Sequence, residues 1–131
     1  MKGSVIERLK ATRLLLHVAE AEKRGDYPRA LELLDDFAAR CPCRAEDRAL
    51  RALLLLRCQR LDEARTALTA LRRELKGFDD PERSYLWRWA NATLALLGNR
   101  TRQFDFECRE AEYLGAGLRL RRRFPLPTDG E

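Results

Sequence analysis

The placement of helix breakers constrains this chain more than any other feature. Gly25, Cys41-Pro42, the stretch from Gly77 to Pro81, and Gly98-Asn99 divide the 131 residues into segments of helix-like period, and every break is only a few residues long. Between the breaks Leu, Ala, Arg and Glu dominate, all good helix formers, while β-branched residues are scarce. Hydrophobic residues at 45% and charged residues at 36% fit amphipathic helices around a core rather than a disordered chain. Connections this short make consecutive helices run back on each other as hairpins. The expected fold is all-α, with three antiparallel helix pairs.

Local signals place six helices. Ser4-Val5-Ile6-Glu7 has the spacing of a capping box, in which hydroxyl and carboxylate each satisfy an orphan amide. Apolar residues then recur at Ile6, Leu9 and Leu16 and at Val5, Leu15 and Val18, until Gly25 ends the run. Asp26 caps a second helix with Pro28 in its first turn, and Ala30, Leu31, Leu34, Phe37 and Ala38 form its stripe. The third runs from about Ala45 to Cys58 and the fourth from about Leu61 to Lys76, with Gly77 as its stop. Asp80-Pro81-Glu82 starts the fifth, combining a capping carboxylate, a proline at the first helical position and an acid at the positive dipole end. A sixth, from about Arg100 to Leu114, carries Phe104, Cys108 and Ala111.

The formal charge of +5 rests mainly on Arg, with only Lys2, Lys10, Lys23 and Lys76 besides. Acidic residues are interspersed almost everywhere, so the charge marks no broad nucleic-acid surface except near the C-terminus. No stretch approaches the roughly 20 apolar residues that span a bilayer, and the run Leu14 to Ala19 is too short for a signal peptide. The expectation is a cytoplasmic protein whose four cysteines, Cys41, Cys43, Cys58 and Cys108, are reduced.

Little in the chain suggests catalysis. His17 is the sole histidine and has no nucleophile or second ligand at useful spacing, so it reads as a surface or structural residue. Cys41-Pro42-Cys43 puts one residue between its thiols, where paired zinc ligands have two to four. Neither a phosphate loop nor a dinucleotide fingerprint is present, since Gly115-Ala116-Gly117 lacks the helix such a loop requires. No catalytic residue, metal or cofactor is expected. Residues 117–131 read as a basic, proline-containing tail. Its Arg119, Arg121, Arg122 and Arg123 would suit phosphates or an acidic partner; the plainer reading has Leu118, Leu120 and Phe124 covering the last helix while the arginines stay solvated.

Gly25-Asp26-Tyr27-Pro28-Arg29-Ala30 and Gln59-Arg60-Leu61-Asp62-Glu63-Ala64 align so that Ala30 and Ala64 lie 64 − 30 = 34 residues apart. Leu34 then pairs with Leu68, and Phe37 with Leu71. That period and pattern resemble tetratricopeptide repeats. Trp87 and Gly98 match the family's early aromatic and inter-helix glycine in a third unit, but Gln103 stands where a small Ala is expected. The resemblance implies a helical domain over residues 1–116, with units at about 11–44, 45–78 and 84–116, stacked as a short superhelix.

The resemblance also implies a concave face built from the first helix of each unit. Mapped onto this chain, that face takes Leu15, Ala19, Glu22 and Lys23, then Ala49, Leu53, Leu56 and Arg57, then Tyr85, Arg88, Ala92 and Leu96. Relatives that clamp acidic C-termini need Asn and Lys where Ala19 and Leu15 stand, so that role is not expected. An aliphatic floor instead suits an amphipathic helix of a partner protein. The same leucines would alternatively be core, covered by the C-terminal helix or by self-association. The favoured function is an adaptor or chaperone that binds another polypeptide. Small chaperones of type III secretion needle subunits look similar in size and architecture alone. The alternative is a nucleic-acid-binding or regulatory protein using the arginine-rich tail.

Overall fold

A computed structural model describes residues 5–115 and 117–128. Seven helices are described: α1 (Val5–Lys23), α2 (Tyr27–Arg40), α3 (Ala45–Arg57), α4 (Leu61–Leu75), α5 (Pro81–Leu97), α6 (Thr101–Gly115) and the single turn α7 (Leu120–Arg123). No strand occurs among the described residues. The protein is all-helical, and α1 with α2 and α5 with α6 pack as helical hairpins. The capping box at Ser4 and the central residue of Gly115-Ala116-Gly117 lie outside the described residues.

The expected caps form where local chemistry requires them. Asp26 accepts a hydrogen bond from the Arg29 amide at 3.3 Å, and Asp80 from the Arg83 amide at 3.0 Å; a proline follows each in the first helical turn. The Arg83 amide and guanidinium beside Asp80 hold its carboxyl below the ordinary value. Asp47 reaches back to the Arg44 amide at 2.9 Å at the head of α3. These carboxylates satisfy donors that the first helical turn leaves without intrahelical partners.

Three helices end in the same way. After α1, the amides of Gly25 and Asp26 donate to the carbonyls of Glu22 and Ala21. After α3, Gln59 and Arg60 donate to Leu56 and Leu55; after α5, Asn99 and Arg100 donate to Leu96 and Ala95. Each is a Schellman cap, which needs a left-handed residue at its centre. That residue is Gly25 (φ 74), Gln59 (φ 62) and Asn99 (φ 57) respectively. In the third turn Asn99 takes the left-handed position, and Gly98, which the repeat alignment singles out, has an ordinary φ of −94.

The chain divides into two compact units, Met1–Leu61 and Asp62–Glu131. The division falls within the stretch 45–78. In the first unit α1 packs on α2 and α2 on α3. Val18, Ala21, Ala30, Ala49, Ala52 and Leu55 are its most deeply buried apolar side chains. In the second unit α5 packs against α6 and α7. Its buried apolar side chains include Leu68, Leu71 and Leu75 of α4, Tyr85, Leu86 and Trp89 of α5, Phe104 and Ala111 of α6, Leu120 of α7, and Phe124 just beyond it.

The basic tail is therefore partly built into the second unit. Leu120 is 4% exposed and Phe124 fully buried, while Arg119, Arg121, Arg122 and Arg123 point to solvent. Burying two such side chains contributes about 1.5–3 kcal/mol each, enough to hold a short segment down. The apolar residues act as covers, as the plainer reading has it, and α7 packs on α5.

Candidate interaction surface

The twelve residues assigned to the concave face differ widely in burial. Ala49 and Tyr85 are fully buried, and Leu53 is 8% exposed. Leu15, Ala19, Leu56 and Arg88 are half-buried, and only Lys23 and Arg57 are exposed. For Ala49, Leu53 and Tyr85 the expectation is corrected: they are core residues and offer a partner nothing in this state. Arg57 instead lies over the Tyr27 ring, 5.4 Å from its centroid, closing one edge of the first unit.

On α5 the covering element is identifiable. The Tyr85 hydroxyl donates to the Phe124 carbonyl at 2.6 Å, and the Trp89 indole N–H donates to the Pro125 carbonyl at 3.2 Å. The Trp89 and Phe124 rings meet edge to face, with centroids 5.2 Å apart. Burial pushes the Tyr85 phenol up to about 12, because the phenolate cannot be solvated there. The chain's own C-terminal segment thus covers Tyr85, while Ala92 and Leu96 of the same assigned face pack with Phe104 and Cys108 of α6.

Arg88 has a structural task. Its guanidinium pairs with Glu107 at 3.0 Å, and Gln103 donates to the other Glu107 oxygen at 2.7 Å. Arg88 also sits 4.6 Å from the Trp87 ring centroid and 5.5 Å from that of Phe106. Glu107 is only 4% exposed, so its charge needs both partners. This network ties α5 to α6.

A different apolar surface remains open. Val5, Ile6, Leu9 and Leu16 of α1 are 71%, 65%, 65% and 61% exposed. They lie opposite the face that buries Ala11, Val18 and Ala21. The signal was in the sequence: Leu9 and Val18 are nine residues apart, which at about 100° per residue puts them on opposite sides of a helix. One neighbour cannot cover both. Of the two apolar sets of α1, Ile6, Leu9 and Leu16 are all exposed, while the other is split between buried Val18, half-buried Leu15 and exposed Val5. Basic side chains (Arg8, Lys10, Arg13) outnumber the acid Glu7 along this stretch.

The residues weighed for chemistry stand apart. His17 is exposed on α1. All four cysteines are of intermediate burial and stand outside any disulfide. Among the described residues no group of three or more His, Cys, Asp or Glu side chains is arranged to hold a metal ion. Cys108 lines an open cleft with Phe104, Glu112, Arg121 and the Pro125-Leu126-Pro127 run, and desolvation pushes its thiol up, with Glu112 adding to the effect. A raised thiol is a poorer nucleophile at neutral pH, since the thiolate is the reactive form. Among the described residues no helix is long and apolar enough to cross a membrane.

No protein-family model matches the sequence, and neither a curated protein nor a solved structure matches it significantly.

Proposed function

We propose that this chain is a protein-interaction module, of adaptor or chaperone type, that takes an amphipathic helix of another polypeptide on the outer face of α1. The observation that carries this reading is the stripe of Val5, Ile6, Leu9 and Leu16. At their exposures these side chains present roughly 500 Å² of apolar surface, a size that on a monomer marks a functional patch. The flanking Arg8, Lys10 and Arg13 favour a partner helix whose apolar seam is bordered by Asp and Glu. The tetratricopeptide likeness belongs to the same proposal. It is supported by the identical left-handed caps at Gly25 and Gln59, 59 − 25 = 34 residues apart.

Two synthetic helices with the same leucine seam, one flanked by Glu and one by Lys, test the reading by fluorescence anisotropy. The Glu-flanked helix should bind saturably and the Lys-flanked helix far more weakly. Leu9→Glu/Leu16→Glu should abolish binding without lowering Tm, whereas Arg121→Glu/Arg122→Glu should leave it intact. Equal binding of both helices, or loss on changing the α7 arginines instead, rejects the α1 surface; the second result favours the anionic-partner alternative. Sedimentation of the free chain separates the remaining occupant. A dimer that dissociates in Leu9→Glu/Leu16→Glu means that a second copy fills the stripe, and the reading as a receptor for other polypeptides fails.

A further inference from the structure

Arg65, Thr69 and Arg72 lie at i, i+4 and i+7 on α4, so they share one face of that helix. They line an open cleft of about 370 Å³ whose other wall is Leu94, Leu97, Gly98, Asn99 and Arg100, at the α5–α6 turn. Three guanidinium-bearing residues border this space, and no carboxylate does. Arg83 pairs with Asp80 and Arg88 with Glu107, whereas Arg65, Arg72 and Arg100 have no ion pair among the described residues.

The neighbouring polar groups are already committed. Thr69 donates its hydroxyl to the Arg65 carbonyl at 2.8 Å. The carbonyls of Leu94, Ala95 and Leu96 at the end of α5 accept from Gly98, Arg100 and Asn99, so they are not left as a bare negative edge. What the cleft offers is three cations and an apolar margin, Leu97 half-buried and Leu94 6% exposed. Like charges held together repel unless an anion joins them, and arginine forks match the oxygens of a phosphoryl group.

We propose that this cleft is a binding site for an organic phosphate monoester. Its phosphoryl oxygens lie among Arg65, Arg72 and Arg100, and its apolar part lies against Leu97 and the edge of Leu94. The site is separate from the α1 surface, so either can fail without the other.

Amide spectra of the full chain at low ionic strength, titrated with inorganic phosphate, phenyl phosphate, phenol and chloride, test the proposal. Phenyl phosphate should shift the Gly98, Asn99 and Thr101 amides saturably and bind more tightly than inorganic phosphate. Phenol and chloride should not saturate. Arg65→Gln/Arg72→Gln should weaken phenyl phosphate by more than about tenfold, as expected for losing two charge-assisted contacts. Arg73→Gln, on α4 but outside the cleft, should bind like the parent. Shifts that stay linear to the highest concentration, equal affinity for both phosphates, or equal weakening by Arg73→Gln would each overturn it. Circular dichroism of each variant confirms that lost binding is not lost folding; if Arg65→Gln/Arg72→Gln unfolds, Arg100→Gln carries the same test.

Discussion

The ring of Tyr85 lies where a side chain on Gly115 would have to be. A Cβ built on Gly115 would fall 2.7 Å and 2.9 Å from two carbons of that ring. Tyr85 is fully buried and held through its hydroxyl to the Phe124 carbonyl, so it has little room to retreat. Glycine at 115 is thus required by close approach and not by a turn. Gly115→Ala should overpack this junction and lower stability by about 1–3 kcal/mol in urea unfolding. Gly77→Ala makes a useful comparison, because nothing lies within 4 Å of a Cβ there and its strain comes only from a φ of 92.

The Tyr85–Phe124 hydrogen bond predicts a pH dependence. Burial raises the phenol from 10.0 to about 12, which favours the neutral form in the folded state. Its contribution is complete below pH 10 and is lost as the pH rises through about 12. Alkaline unfolding of the parent should therefore include a step in that window, visible in Trp89 fluorescence because Trp89 contacts the same segment. Tyr85→Phe should lack the step and lose about 1–3 kcal/mol at neutral pH by orphaning the Phe124 carbonyl.

Arg88 and Glu107 make a prediction about coupling. Arg88→Ala leaves a carboxylate that is 4% exposed with only Gln103 as partner, and should cost about 3 kcal/mol or more. Arg88→Met/Glu107→Leu removes both charges and should recover most of that loss. Thermal melts of the two variants beside the parent measure it. An Arg88→Ala chain as stable as the parent contradicts the structural role assigned to this arginine.

The buried and exposed leucines should respond oppositely to charge. Leu53 is 8% exposed and Leu9 65%. Leu53→Glu places a carboxylate in the core and should destabilise the chain by roughly 3–4 kcal/mol. Leu9→Glu should change stability by no more than about 0.5 kcal/mol. A Leu53→Glu chain that melts like the parent would restore the open groove that its burial rules out.

At Gln59 a residue with a Cβ occupies the left-handed position that closes the α3 cap. Gln59→Gly should relieve that conformation and stabilise the protein by roughly 0.5–1 kcal/mol, the gain reduced by the greater freedom of glycine in the unfolded chain. Gly25→Gln should do the reverse, because it creates the same strain at Gly25 (φ 74).

Much of the helical layout was legible in the residues themselves, because helix ends are decided within a few positions. Asp26 and Asp80 each cap an amide three residues away, and Gly25 closes a Schellman turn with groups no further than Ala21. The opposed stripes of α1 were legible too, since a helix fixes angles from spacing alone. What only the tertiary structure decided is which stripe is covered and by what. Leu53 and Leu9 are both helical leucines, yet one is core and the other faces solvent. Tyr85 finds its partner 39 residues along the chain and Arg88 finds Glu107 at 19. Leu120 and Phe124 read in the sequence as covers for the last helix, but their docking on α5, far away in sequence, is carried by no local pattern. Periodicity states that a face is apolar; burial depends on what the rest of the chain brings against it, and no local pattern carries that information.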